Sequence, residues 1–153
     1  MELVVALGAG GFQVSEAAAA GLVYGYAAGL DMTRRDLQQR AKDHAHPWDL
    51  GKDFEQAAII SPIVIKPEGA LLQQGAIELS VNQTMKQSSN LSLMIWSVAE
   101  LISDLSRYYR LLPGDLIYTG TPDGVGPVVP GDCLTGHIEG VGRVVANITA
   151  PLA

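Results

Sequence analysis

The stretch "YTGTPDGVGPVVPGD", Tyr118 to Asp132, carries four glycines and three prolines in fifteen residues, with threonines at its head. A phosphate-cradling P-loop would read G-x-x-x-x-G-K-[ST] and run from a strand into a helix. No lysine stands at the required place. The residues that follow, "CLTGHIEGVGRVVANI" (133–148), alternate and are rich in Val, Ile and Gly, as a strand pair is. The loop therefore leads into strands and needs an explanation other than phosphate.

Upstream of it, "LLPGDLIYTG" sets a Pro-Gly turn before a strand. The clearest helix is "SVAELISDLSRYYR" (97–110). Ser97 and Glu100 form a capping box, and Val98, Leu101, Ile102 and Leu105 fall on one face. "AIELSVNQTMKQ" (76–87) alternates at period two and reads as a hairpin turning at "NQ". "TRRDLQQRAKDHA" (33–45) predicts a helix with Thr33 and Asp36 as a capping pair, ended by Pro47. A loop then returns to a strand over Ile59 to Ile65. Near the start, Glu2 to Leu7 is a strand, "VSEAAAAGL" a short helix with Ser15 as N-cap and Glu16 in its first turn. "VYGYAAGLDM" is a strand whose two glycines suggest close backbone approach. Together these predict a single α+β domain, mostly β.

Composition narrows the function. The 153 residues suit one domain with a real core. A net charge of -6 argues against a nucleic-acid binder, and the basic run "TRRDLQQRAK" is interrupted by Asp36. No apolar run reaches the roughly 20 residues a membrane helix needs, and the N-terminus lacks the basic start of a signal peptide. The single cysteine, Cys133, excludes an internal disulfide and reads as a small buried hydrophobe. A cytoplasmic protein without nucleic-acid or membrane partners is expected.

Glu2 starts a strand, Asp31 ends one, Asp36 follows one turn into a helix, and Lys52 lies in "DLGKDF". Glu2 and Asp31 facing one another from adjacent strands would suit a hard divalent cation, which takes oxygen ligands and keeps several waters. They read equally as strand-end acids in turns. His44, His46 and His137 lack zinc-ligand spacing and read as surface or turn residues. No G-x-S-x-G elbow occurs, which disfavours a hydrolase triad. Trp96, Tyr108 and Tyr109 read as packing residues around the long helix, and Trp48 as a loop anchor.

Taken in order, "ELVVALG", "GYAAGLDMTRRDLQ", "PWDLGKDF", "MIWSVAELI", "GDLIYTGTPDGVGPVVPGD" and "IEGVGRVVANI" resemble the fumarylacetoacetate hydrolase superfamily across nearly the whole chain. "DMTRRDLQ" and "PWDLGK" stand nearest its acylpyruvate and fumarylpyruvate hydrolases. The resemblance implies a mixed β-roll with short helices and a homodimer. It also implies Mg²⁺ or Mn²⁺ held by a Glu-x-Glu pair and an aspartate. Glu2 matches the second glutamate and Asp31 the aspartate. The first glutamate would fall one residue before Met1, so residues 1–153 are expected to be a catalytic domain lacking its leading strand and lid. That lid generally carries the family's water-activating His–Glu pair.

By the same matching, Arg35 and Gln38 resemble substrate-binding and site-organising residues, Lys52 the active-site lysine, and Thr121 the threonine that closes on a substrate carboxylate. The loop around Gly120 and Thr121 would wall the metal pocket and offer backbone N–H groups. The implied substrate is a small 2-oxo or 2,4-dioxo acid, cleaved between C3 and C4 to pyruvate and a carboxylic acid. The same metal site could serve an isomerase or decarboxylase on a 2-oxo acid. A catalytically impaired member that only binds or dimerises is the third reading.

Overall fold

In the computed structural model, which describes residues 1–69 and 71–150, the chain forms nine strands and four α-helices among the described residues. In chain order these are β1 (Glu2–Leu7), α1 (Glu16–Ala19), β2 (Val23–Asp31), α2 (Arg35–Asp43), α3 (Asp49–Lys52), β3 (Ala58–Ile60) and β4 (Val64–Ile65). There follow β5 (Ala76–Val81), β6 (Thr84–Asn90), α4 (Val98–Tyr108), β7 (Leu116–Tyr118), β8 (Cys133–Ile138) and β9 (Gly142–Asn147). The mostly-β α+β architecture is the one the sequence implies. The last three residues of the expected domain lie outside the described ones.

One sheet runs β3-β2-β1-β7, with β4 also pairing β2; the other runs β6-β5-β8-β9. Every pairing among the described strands is antiparallel. β1 is buried along its whole length. Its odd-numbered residues Leu3, Val5 and Leu7 join Tyr26, Ala28 and Leu30 of β2 in the apolar core, which Ile77, Leu134 and Val144 complete from the second sheet. The period of two sends Glu2 and Val4 to the opposite face.

Where local chemistry is strong, sequence and structure agree. Ser97 caps α4 by accepting from Glu100 N–H, and the Glu100 carboxylate accepts from Ser97 N–H. Asn82 and Gln83 both take positive φ, 49° and 68°, as a tight β5–β6 turn demands. The Cβ atoms missing from Gly25 and Gly29 would collide with the Val64 carbonyl and the Val4 side chain respectively, which is the close approach that "VYGYAAGLDM" implied.

Several expectations need correction. The strand expected over Ile59–Ile65 breaks at Ser61-Pro62. Ser61 Oγ accepts from Ala28 N–H at 3.0 Å in place of a ladder carbonyl, and Pro62 has no N–H to continue pairing. The loop before it contains the single turn α3. Thr33 does not cap α2, whose N-cap is Arg34 without a side-chain bond. α2 ends at Asp43, before Pro47. Ser15 sits at the N-cap of α1 but makes no capping bond. Cys133 is only half-buried. Trp96, Tyr108 and Tyr109 are exposed, so they are not packing residues here. Trp48 is half exposed and lies under Lys42 Nζ, 4.8 Å from the ring centroid. No helix among the described residues is long and apolar enough to cross a membrane.

Candidate functional site

The register of β1 on β2 pairs Glu2 with Gly29. Asp31 is two residues further along β2 and so shares Glu2's face. Diagonal neighbours of this kind stand about 7–8 Å apart at the backbone, within reach for two acidic side chains. Glu2 is 6 % exposed, and its Oε2 accepts from Gly120 N–H at 2.8 Å. Thr119 donates to the Leu3 carbonyl through both its N–H and its hydroxyl, at 3.1 and 2.9 Å. The glycine-rich loop is therefore stitched to the start of β1, and the Gly120 N–H holds Glu2 in place.

Lys52 arrives from the other side. Arg34 N–H donates to the Gly51 carbonyl at 3.0 Å and its guanidinium lies 4.3 Å from the Phe54 ring centre, so α3 folds back under the start of α2. From there Lys52 Nζ donates to Asp31 Oδ2 at 2.6 Å and to Thr33 Oγ1 at 3.0 Å. That second bond is the use of Thr33 that a capping role obscured. Arg35 Nη1 donates to Gln38 Oε1 at 3.0 Å, with Gln38 buried behind it.

A cavity of about 670 Å³ gathers Glu2, Asp31, Arg35, Lys52 and Thr121 on its wall. Two expected residues stand elsewhere. Gln38 supports Arg35 from beneath, and Gly120 faces a neighbouring, more apolar cavity of about 560 Å³ while its N–H turns to Glu2. Thr121 borders both cavities.

Sequence reasoning missed Gln87. It is 2 % exposed, on β6, and its Nε2 donates to Thr121 Oγ1 at 2.9 Å and to the Pro122 carbonyl at 2.8 Å. It is the one buried residue of β6, and a buried polar side chain needs partners, but no local pattern in the sequence marks it. Gly124 completes the attachment of loop to strand. Its φ is +97°, and a Cβ there would run into the Lys86 carbonyl. Gly124→Ala is expected to cost about 1–3 kcal/mol of stability in urea unfolding, through strain and displacement of the loop.

The electrostatics suit a cation. Burial pushes the Glu2 carboxyl above the usual carboxylate range, and the Asp31 charge adds to this. The Gly120 bond, the chain's amino group and Lys52 oppose it. The Tyr118 hydroxyl is likewise raised, by burial first and then by Asp31 and Glu2. Two hard oxygen donors on one cavity wall, one of them costly to ionise without positive charge nearby, fit Mg²⁺ or Mn²⁺ with water completing the shell. Lys52 holds Asp31 Oδ2 and leaves Oδ1 available. Among the described residues no third His, Cys, Asp or Glu joins this pair.

Residues 1–149 match the family model described as fumarylacetoacetate (FAA) hydrolase C-terminal. The chain is 58% identical over 148 residues to a fumarylpyruvate hydrolase of a Ralstonia species, covering 97% of this chain and 77% of that protein. It is 41% identical over 141 residues to a mitochondrial oxaloacetate tautomerase of Mus musculus, covering 92% of this chain and 64% of the relative. Among solved structures, it superposes with a TM-score of 0.94 on fumarylpyruvate hydrolase from Pseudomonas aeruginosa in complex with Mn²⁺ and pyruvate. That match has 43% identity and covers 98% of this chain but 64% of the other.

Proposed function

The chain belongs to the fumarylacetoacetate hydrolase family, and on that premise we propose that it hydrolyses a carbon–carbon bond in a small 2,4-dioxo acid of the acylpyruvate class. Fumarylpyruvate is the substrate the 58% identical relative favours. One observation carries the reading: Glu2, Asp31, Arg35, Lys52 and Thr121 line a single cavity.

Glu2 and Asp31 would hold Mg²⁺ or Mn²⁺. When bound, that cation supplies Lewis acidity, steadying negative charge on a ligand's oxygens without proton transfer. The remaining work falls to the chain itself. Arg35, braced by Gln38, presents its other N–H groups to an acidic end of the substrate, a charge-assisted contact. Thr121 offers a hydroxyl to a carboxylate. Lys52 keeps a positive charge beside Asp31, where an oxyanion would grow. In the reaction a water oxygen adds to C4, and the C3–C4 bond breaks with its electron pair left on C3. The remaining water proton then completes pyruvate. The expected assembly is a homodimer, from the family resemblance.

A second reading draws on the 41% identical tautomerase: the same cavity would move a proton at an enolisable carbon without breaking a bond. Product analysis separates the two. Pyruvate release from fumarylpyruvate with Mn²⁺ is to be assayed on the 153-residue chain and with any in-frame upstream residues restored. Equimolar pyruvate and fumarate are expected. Substrate enolisation without pyruvate would favour tautomerase, and inertness on every 2,4-dioxo acid in both forms would defeat the hydrolase reading.

A further inference from the structure

We propose that Gln87 is a positioning residue that fixes the Thr121 hydroxyl as a hydrogen-bond donor to the anionic end of a ligand in the cavity. The inference rests on the acylpyruvate reading only for the identity of that ligand. A hydroxyl has one proton to give and two lone pairs to receive with. At Thr121 Gln87 Nε2 occupies one lone pair, donating at 2.9 Å. The amide nitrogen of Gln87 donates and does not accept, so Gln87 cannot take the Thr121 proton. The Thr121 proton is therefore turned away from Gln87, and Thr121 borders the cavity that holds Glu2, Asp31 and Arg35.

The orientation of the Gln87 amide is itself dictated. Oε1 accepts from the Met1 nitrogen at 2.9 Å, and Nε2 also donates to the Pro122 carbonyl at 2.8 Å. A flipped amide would set oxygen against the Pro122 carbonyl. That contact would be repulsive. An amide that is 2 % exposed, with its donors and acceptor partnered, has no cheap alternative arrangement. Gln87 thus sets a hydrogen-bond polarity that Thr121 alone, free to rotate, would not keep.

Glutamate at this position would invert that polarity. A carboxylate only accepts, so the Thr121 hydroxyl would turn back toward it and its proton would be withdrawn from the cavity. Methionine, of similar length, would leave the proton uncommitted. Glutamate also sets an oxygen against the Pro122 carbonyl, so the Thr121→Val background is what separates loss of the Thr121 proton from disturbed packing.

The test is pyruvate affinity by calorimetry at saturating Mn²⁺ and pH 8, for wild type, Gln87→Glu, Gln87→Met, Thr121→Val and the Gln87→Glu/Thr121→Val double variant. Gln87→Glu is expected to lose about ten- to a hundredfold in affinity, the worth of a hydrogen bond to a charged group, and Gln87→Met less. In the Thr121→Val background the Gln87→Glu change should matter by less than about threefold. Equal losses for the two Gln87 variants, or an undiminished loss in that background, overturn the proposal. A ligand-free arm measures amide exchange from Gly120 to Gly124, with β8–β9 amides as the control for folding. Gln87→Glu should speed loop exchange by about tenfold or more while the control holds, and unchanged loop exchange overturns the proposal. If wild type takes up no pyruvate, the acylpyruvate reading fails and the exchange arm alone decides the role of Gln87.

Discussion

Asp31→Asn is expected to weaken Mn²⁺ binding by more than about a hundredfold, beyond the 10–100-fold typical of losing only an outer hydrogen-bond partner of a metal ligand. The substitution keeps the shape of the side chain and an oxygen for Lys52 to donate to, so the fold should persist. What it removes is one of the two negative charges on the cavity wall. It also relieves Glu2, whose carboxyl the Asp31 charge helps to hold above the usual range. Glu2 should therefore ionise more readily in the variant, and yet the cation should be lost. Titration of free Mn²⁺ by electron paramagnetic resonance reads this directly. Wild-type affinity in Asp31→Asn would remove Asp31 from the metal site.

Lys52→Met should spare metal binding and lower turnover. In the wild type the ammonium lies 2.6 Å from Asp31 Oδ2, where it competes for that carboxylate's charge. Its removal should leave Mn²⁺ affinity unchanged or stronger. Turnover should nonetheless fall about a hundred- to a thousandfold, the usual cost of deleting a group that steadies a growing oxyanion. The measurement is kcat for pyruvate release, in whichever form of the chain turns over, set beside Mn²⁺ affinity. A parallel fall in both would mean that Lys52 serves only to hold Asp31 in place. Because Thr33 also receives Lys52, Thr33→Val should show a weaker version of the same pattern.

The parts of the fold that could be read in the sequence are those whose cause is local. The Ser97–Glu100 capping box, the "NQ" turn and the alternation of β5 each state their structure within a few residues. What escaped was set by distant partners. Nothing near Ser61 reveals that its hydroxyl replaces a carbonyl for Ala28, 33 residues away. The four-residue α3 is too short to carry a periodic pattern, though it is the element that delivers Lys52. The exposure of Trp96, Tyr108 and Tyr109 likewise depends on what packs around the ends of α4, which helical spacing alone does not specify.

The same division runs through the site. Glu2, Asp31, Arg35, Lys52 and Thr121 were chosen by resemblance to a family, and their meeting on one cavity wall follows from the β1–β2 register and the α2–α3 fold-back. Spacing alone left the two acids indistinguishable from ordinary strand ends. Gln87 lay beyond either approach, because its role exists only once β6 and the Thr121 loop are brought together.

The claim that Glu2 and Asp31 grip one hard cation is tested most directly by anomalous diffraction at the manganese edge, on crystals of this chain grown with Mn²⁺ and pyruvate. The account predicts one strong peak within about 2.0–2.6 Å of a carboxylate oxygen from each of the two residues, the range for hard cations and oxygen ligands. A peak elsewhere, or none, with the two side chains turned apart, would contradict it.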